Sequence, residues 1–161
     1  MTLNLTSLTR QELTDLMLQW GERPFRAQQV WSWVHVKLAS SVEEMTDLSK
    51  PFRARLAAEC APLRPLVRSH RISKDGTEKW SLEFQDGVRV ETVFIPETNR
   101  GTVCVSSQAG CSLACPFCRT GTMALQRNLT ASEIVQQVIF ARATLAARNI
   151  RVTNTVLMGM G

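Results

Sequence analysis

With 161 residues, a formal net charge of +5 and 44% hydrophobic residues, the chain can bury cores of its own and carries a modest basic excess that suits a polyanionic partner. No apolar run approaches the length of a membrane span and the N-terminus lacks the charged-then-apolar form of a signal peptide, which predicts a soluble cytoplasmic protein with no membrane partner. The charge is uneven: residues 101–161 carry Arg119, Arg127, Arg142, Arg148 and Arg151 against Glu133 alone, and a second basic run extends from Lys50 to Arg71. A solvated face is the plain alternative to nucleic-acid binding for both runs.

Three short helices are predicted first. Thr9-x-x-Glu12 is a capping box that opens a helix with Leu13, Leu16, Met17 and Trp20 on one side, and Gly21 ends it. Pro24 starts a second helix, which places Val30, Trp31, Val34 and Leu38 at helical spacing, with Arg26 and Lys37 available to phosphate. Trp31 and Trp33 are core residues or stacking platforms for unpaired bases. A third helix is expected from Pro51 to about Cys60, a small buried cysteine.

From Leu66 the period changes to alternation. Asp75-Gly76 and Asp86-Gly87 separate strand-like runs near 66–73, 78–85 and 88–95, which predicts a meander. A βα unit follows: a strand over Thr102–Ser107, a long loop, a helix from about Ala131 opened by the capping box Thr130-x-x-Glu133, and a strand over Val152–Met158. Ile134, Val135, Val138, Ile139, Ala141 and Leu145 are assigned to the buried side of that helix. Two parallel strands with a helical crossover are the first step of an α/β barrel, whose chemistry sits at the C-terminal ends of its strands.

Cys111, Cys115 and Cys118 fall in that loop as C-S-L-A-C-P-F-C. Three thiolates hold three irons of a [4Fe–4S] cluster and leave the fourth open to a substrate or cofactor. A structural zinc site is the alternative, but it needs a fourth ligand, and His35 and His70 lie far upstream with no ligand partner at suitable spacing. Cys104 lies seven residues before Cys111, outside the cluster spacing, with a buried strand cysteine as its plain alternative, and Glu91 by itself reads as an outward strand residue.

The C-x3-C-x2-C spacing with Phe117 in place resembles the radical S-adenosylmethionine (SAM) enzymes. The run from Cys104 to Leu129 is similar to the adenine-C2 methyltransferases of 23S ribosomal RNA and transfer RNA, and the resemblance extends through Gly21–Trp31, Asp75–Trp80 and Val90–Pro96. It implies an α+β N-terminal region, a small helical domain plus antiparallel strands, followed by the opening β-α-β of a radical-SAM partial α/β barrel. The corresponding boundaries are 1–62 for a helical RNA-binding-type domain, 63–97 for a connecting β-meander and 98–161 for an incomplete barrel.

The resemblance also implies roles. Cys111, Cys115 and Cys118 would hold a [4Fe–4S] cluster, SAM would bind near Phe117 and at a Gly-Glu-Pro stretch of which only Gly161 is present, Glu91 would accept a proton, and Cys104 would be the resolving thiol of a transient disulfide. The methyl group would travel by way of a methylated C-terminal cysteine, absent here, so a truncated enzyme is expected, inactive alone and prone to association through unpaired strand edges. The implied partners are 23S rRNA, tRNA and a flavodoxin-type electron donor, acting on a monomer. Two alternatives stay open: an adenine-C8 methyltransferase of the same chemistry, and a non-catalytic RNA- or metal-binding fragment.

Overall fold

The computed structural model describes residues 3–60, 63–113 and 115–161. The chain divides into two compact units, Met1–Arg64 and Pro65–Gly161.

The first unit is helical. α1 (Arg10–Gln19) carries the complete capping box: Glu12 N–H donates to the Thr9 hydroxyl at 3.2 Å and Thr9 N–H to the Glu12 carboxylate at 2.7 Å. It ends in a Schellman motif, in which Gly21 at φ +74° lets Glu22 N–H reach the Met17 carbonyl (2.8 Å) and Gly21 N–H that of Leu18 (3.0 Å). α2 (Phe25–Trp31) runs into a π-helical turn, Ser32–Val36, and the chain leaves the helix at Leu38 with φ +57°. Leu38 therefore does not continue the α-helical face assigned to it. α3 (Lys50–Glu59) has proline in its first turn, and Leu13, Met17, Val30, Val34, Met45 and Leu56 form much of the dry centre.

Three tryptophans of this unit line its margin. Trp20 packs edge-on to Phe52 under Arg55, Trp31 stacks on His35 at 4.1 Å, and the Trp33 indole N–H donates to Asp47 at 2.6 Å beneath the Lys37 ammonium. Each is half-buried with a cation over its ring: Arg55 on Trp20, Arg10 on Trp31 and Lys37 on Trp33. Cys60 is buried, which pushes its thiol up to about 11.

The second unit is built on a five-stranded sheet in the order β1 (Leu66–Ile72), β2 (Glu78–Glu83), β3 (Arg89–Glu97), β4 (Arg100–Cys104), β7 (Asn154–Val156), between which lie β5 (Gln108–Ala109), β6 (Arg127–Asn128) and α4 (Ala131–Ala146). The first four strands are antiparallel neighbours, and β4 pairs with β7 in parallel through α4. Both hairpin turns are three-residue loops closed by Gly76 and Gly87 at φ +83° and +82°, with Asp75 and Asp86 accepting from the N–H two residues on. The barrel strands are shorter than the sequence predicts, because Ser106 and Ser107 leave the ladder and Val152 and Thr153 have not yet joined it.

Register assigns the two faces. Phe94 pairs with Val103 and Trp80 with Thr92, and these side chains meet Phe140, Ala141 and Leu145 of α4 in the core. On the opposite face Ser81 pairs with Glu91, and Val93 with Cys104. On α4, Ile139, Ala141 and Leu145 are buried and Ile134 and Val138 pack against the core as expected, but Val135 is exposed and Gln136 and Gln137 are buried. The cause is a polar node under the helix, described below.

Candidate active site

The site gathers where β4 ends. Cys104 is the last residue of β4, and its direct neighbours, Val93 and Val156, put it on the face that carries Glu91. Burial raises the Cys104 thiol above its ordinary value, opposed by a hydrogen bond from the Met158 N–H. It is thus a protonated, sequestered thiol rather than a ready nucleophile. Glu91 alternates with buried Val90 and Thr92, is itself exposed, and pairs with Lys79 at 2.9 Å. Lys79 was not singled out by the sequence, since only the β2–β3 register brings it beside that carboxylate.

Beyond Cys104 the chain makes an excursion held at its base by the β5–β6 ladder, where Gln108 pairs with Asn128 and Ala109 with Arg127. Gly110, at φ +80°, turns into the loop where backbone crosses backbone: a Cβ there would lie 2.1 Å from the Ala124 carbonyl oxygen. Arg127 fastens the return, bridging the Glu133 carboxylate at 2.7 and 2.9 Å and Asp86 at 2.7 Å. The same Glu133 closes the capping box of α4.

Cys111, Cys115 and Cys118 all lie on this excursion and are partly exposed. Among the described residues, no three His, Cys, Asp or Glu side chains are gathered as metal ligands. The donor chemistry nevertheless suits a thiolate-bound iron cluster. Backbone N–H groups of Gly121 and then Thr120 hold the Cys118 thiol below its ordinary value, and Leu113 N–H donates to the Cys111 sulfur at 3.4 Å. Such N–H···S bonds favour thiolate and tune a bound cluster. Phe117 is 90% exposed, and with Leu113, Met123 and Leu125 it gives the loop an apolar outer surface.

The Gly159–Gly161 turn closes against the entry to this loop. Ser107 and Gln108 N–H both donate to the Met160 carbonyl (2.9 and 3.0 Å), and Gly159 N–H donates to that of Val105 at 3.2 Å. A Cβ on Gly159 would sit 2.8 Å from the Val105 carbonyl, and one on Gly161 2.5 Å from the Ser107 hydroxyl, so only glycine permits the approach. The fold therefore brings Cys104, Glu91, the three-cysteine loop and Gly161 to one end of one sheet. It leaves His35 and His70 elsewhere: His35 against Trp31, and His70 stacked on Trp80 and bonded to Glu78.

Residues 3–61 match the family described as ribosomal RNA large subunit methyltransferase N-terminal domain. The chain is 64% identical over 160 residues to a protein of Magnetococcus marinus named dual-specificity RNA methyltransferase RlmN, and 48% identical to that of Rhodospirillum rubrum. Over nearly all of its length the chain is similar to these RlmN proteins. The alignments cover 99% and 98% of this chain but 45% and 38% of the relatives, so it spans about half or less of their length. A crystal structure of a radical SAM methyltransferase from Sphaerobacter thermophilus superposes with a TM-score of 0.93 at 40% identity, covering 99% of this chain and 47% of that one. The helical unit, the antiparallel strands and the β-α-β thus follow the fold of that structure over the part of it that the chain covers. Among the described residues no helix is long and apolar enough to cross a membrane.

Proposed function

We propose that the chain is part of a radical-SAM RNA methyltransferase that methylates C2 of adenine in 23S rRNA and tRNA. The observation that carries this proposal is the placement of three cysteines on one anchored loop at the C-terminal end of β4, beside Cys104 and Glu91. Cys111, Cys115 and Cys118 would hold a [4Fe–4S] cluster, and Phe117 and Gly161 are the residues present here that would contribute to binding SAM. When bound, the cluster and SAM supply the one-electron chemistry that an electron-poor ring carbon requires.

The protein's own residues orient and sequester. Glu91, which now pairs with the Lys79 ammonium, is the proton acceptor, and Cys104, kept protonated by burial, is the resolving thiol. Leu113, Phe117, Met123 and Leu125 offer an exposed apolar rim that a bound cofactor or substrate would cover. A flavodoxin-type donor supplies the electron to a monomeric protein.

The test is anaerobic reconstitution with iron and sulfide, followed by addition of SAM and low-temperature EPR of the reduced cluster. A [4Fe–4S] signal that changes on adding SAM supports the assignment; a chain that binds only zinc refutes it.

A further inference from the structure

Beneath the site lies a polar node that the assigned roles do not use. β4 ends at Cys104, so the N–H and C=O of Ser106 have no ladder partner, yet Ser106 is completely buried. The side chain of Gln137, also completely buried, takes the place of a strand: Oε1 accepts from Ser106 N–H at 2.9 Å and Nε2 donates to the Ser106 carbonyl at 2.9 Å. The same amide accepts from the Thr92 hydroxyl (3.0 Å) and donates to the Glu133 carbonyl (3.3 Å).

Thus fixed, Ser106 turns its hydroxyl toward two functional segments. Oγ donates to the Glu91 carbonyl at 2.7 Å and accepts from Met160 N–H at 3.0 Å. One hydroxyl therefore joins the strand residue that bears the proton acceptor, the turn at Gly159–Gly161, and the residue immediately before the entry to the cysteine loop. A fully satisfied network of this kind fixes three backbone segments in one geometry.

We infer that Ser106 and Gln137 are positioning residues that set the Gly159–Gly161 turn and Glu91 against the base of the cysteine loop. The role rests on the cofactor assignment proposed above, but the node can be tested without it. Amide hydrogen exchange would be measured on the whole chain and on Ser106→Ala, Ser106→Cys, Gln137→Met and Thr92→Val.

Ser106→Ala is expected to accelerate exchange at Met160 and Gly159 at least tenfold while Val93 and Val103 in the sheet stay protected. Gln137→Met should add Ser106 to the accelerated set. Ser106→Cys keeps the volume with a weaker donor and acceptor, so it should fall between wild type and alanine, and Thr92→Val, which touches the node but not Met160, should spare the turn. Unchanged exchange at Met160 in Ser106→Ala, or equal acceleration across the sheet in Ser106→Ala and Thr92→Val, overturns the inference.

Reconstituted Ser106→Ala should hold as much iron as wild type and lose the SAM-dependent change in its EPR spectrum; an undiminished change overturns the functional role. A wild-type chain that takes up no cluster defeats the cofactor assignment instead, and the exchange result still decides the node.

Discussion

Replacing Gln137 with leucine would remove four hydrogen bonds from the driest part of the second unit while keeping nearly the same volume. The Ser106 N–H and carbonyl and the Thr92 hydroxyl would be left without their partner, since Thr92 and Ser106 are both fully buried. At about 1–3 kcal/mol for each stranded group the gross cost is about 3–9 kcal/mol. Burying the leucine side chain returns about 1.5–3 kcal/mol, leaving a net loss of about 2–6 kcal/mol. With a urea slope of about 2 kcal/mol per molar, the unfolding midpoint should fall by about 1–3 M. The assay is equilibrium urea unfolding followed by the fluorescence of Trp80, in a variant whose Trp20, Trp31 and Trp33 are replaced by phenylalanine. A midpoint shift below about 0.3 M would mean that the node contributes nothing net, and would refute the reasoning.

Glu78 is only 3% exposed and accepts from Arg148 (2.6 Å) and His70 (2.8 Å), so Glu78→Gln should cost about 1–3 kcal/mol in the same unfolding assay. Gly110→Ala forces a Cβ into the Ala124 carbonyl at a left-handed φ, and should lower iron uptake on reconstitution with little change in the circular dichroism of the helical unit. Hydrogen bonds from Arg68 and Arg89 depress the Glu83 carboxyl from 4.5 to about 2. Its stabilising contribution is therefore complete above pH 4.5 and disappears as pH falls through about 2, so the stability gap between wild type and Glu83→Gln should close over that window in acid unfolding curves. Iodoacetamide labelling of the metal-free chain, read by peptide mass spectrometry, should modify Cys118 well before Cys104 and Cys60, whose thiols burial raises.

What was legible in the sequence was local chemistry. Thr9 with Glu12, and Thr130 with Glu133, form capping boxes because both partners lie within one turn, and Asp75-Gly76 and Asp86-Gly87 turn the chain because their φ and side-chain bonds are decided on the spot. The cysteine spacing marked the loop for the same reason. Features that depend on distant partners were not visible. On α4 the burial of Gln137 is invisible because the residue scores as polar, and only its bonds to residues 31 and 45 positions away explain it. Lys79 beside Glu91, and Arg148 on Glu78, likewise follow from register and packing. The strand limits were overestimated because Ser106 and Ser107 satisfy their backbone through Gln137 and Met160 instead of a ladder.

Iron and acid-labile sulfide counted on the anaerobically purified chain, beside alanine variants of Cys111, Cys115 and Cys118, tests the central claim most directly. About four irons and four sulfides per chain, lost in each variant, is the predicted result. Stoichiometric zinc, or iron retained when these cysteines are removed, would contradict it.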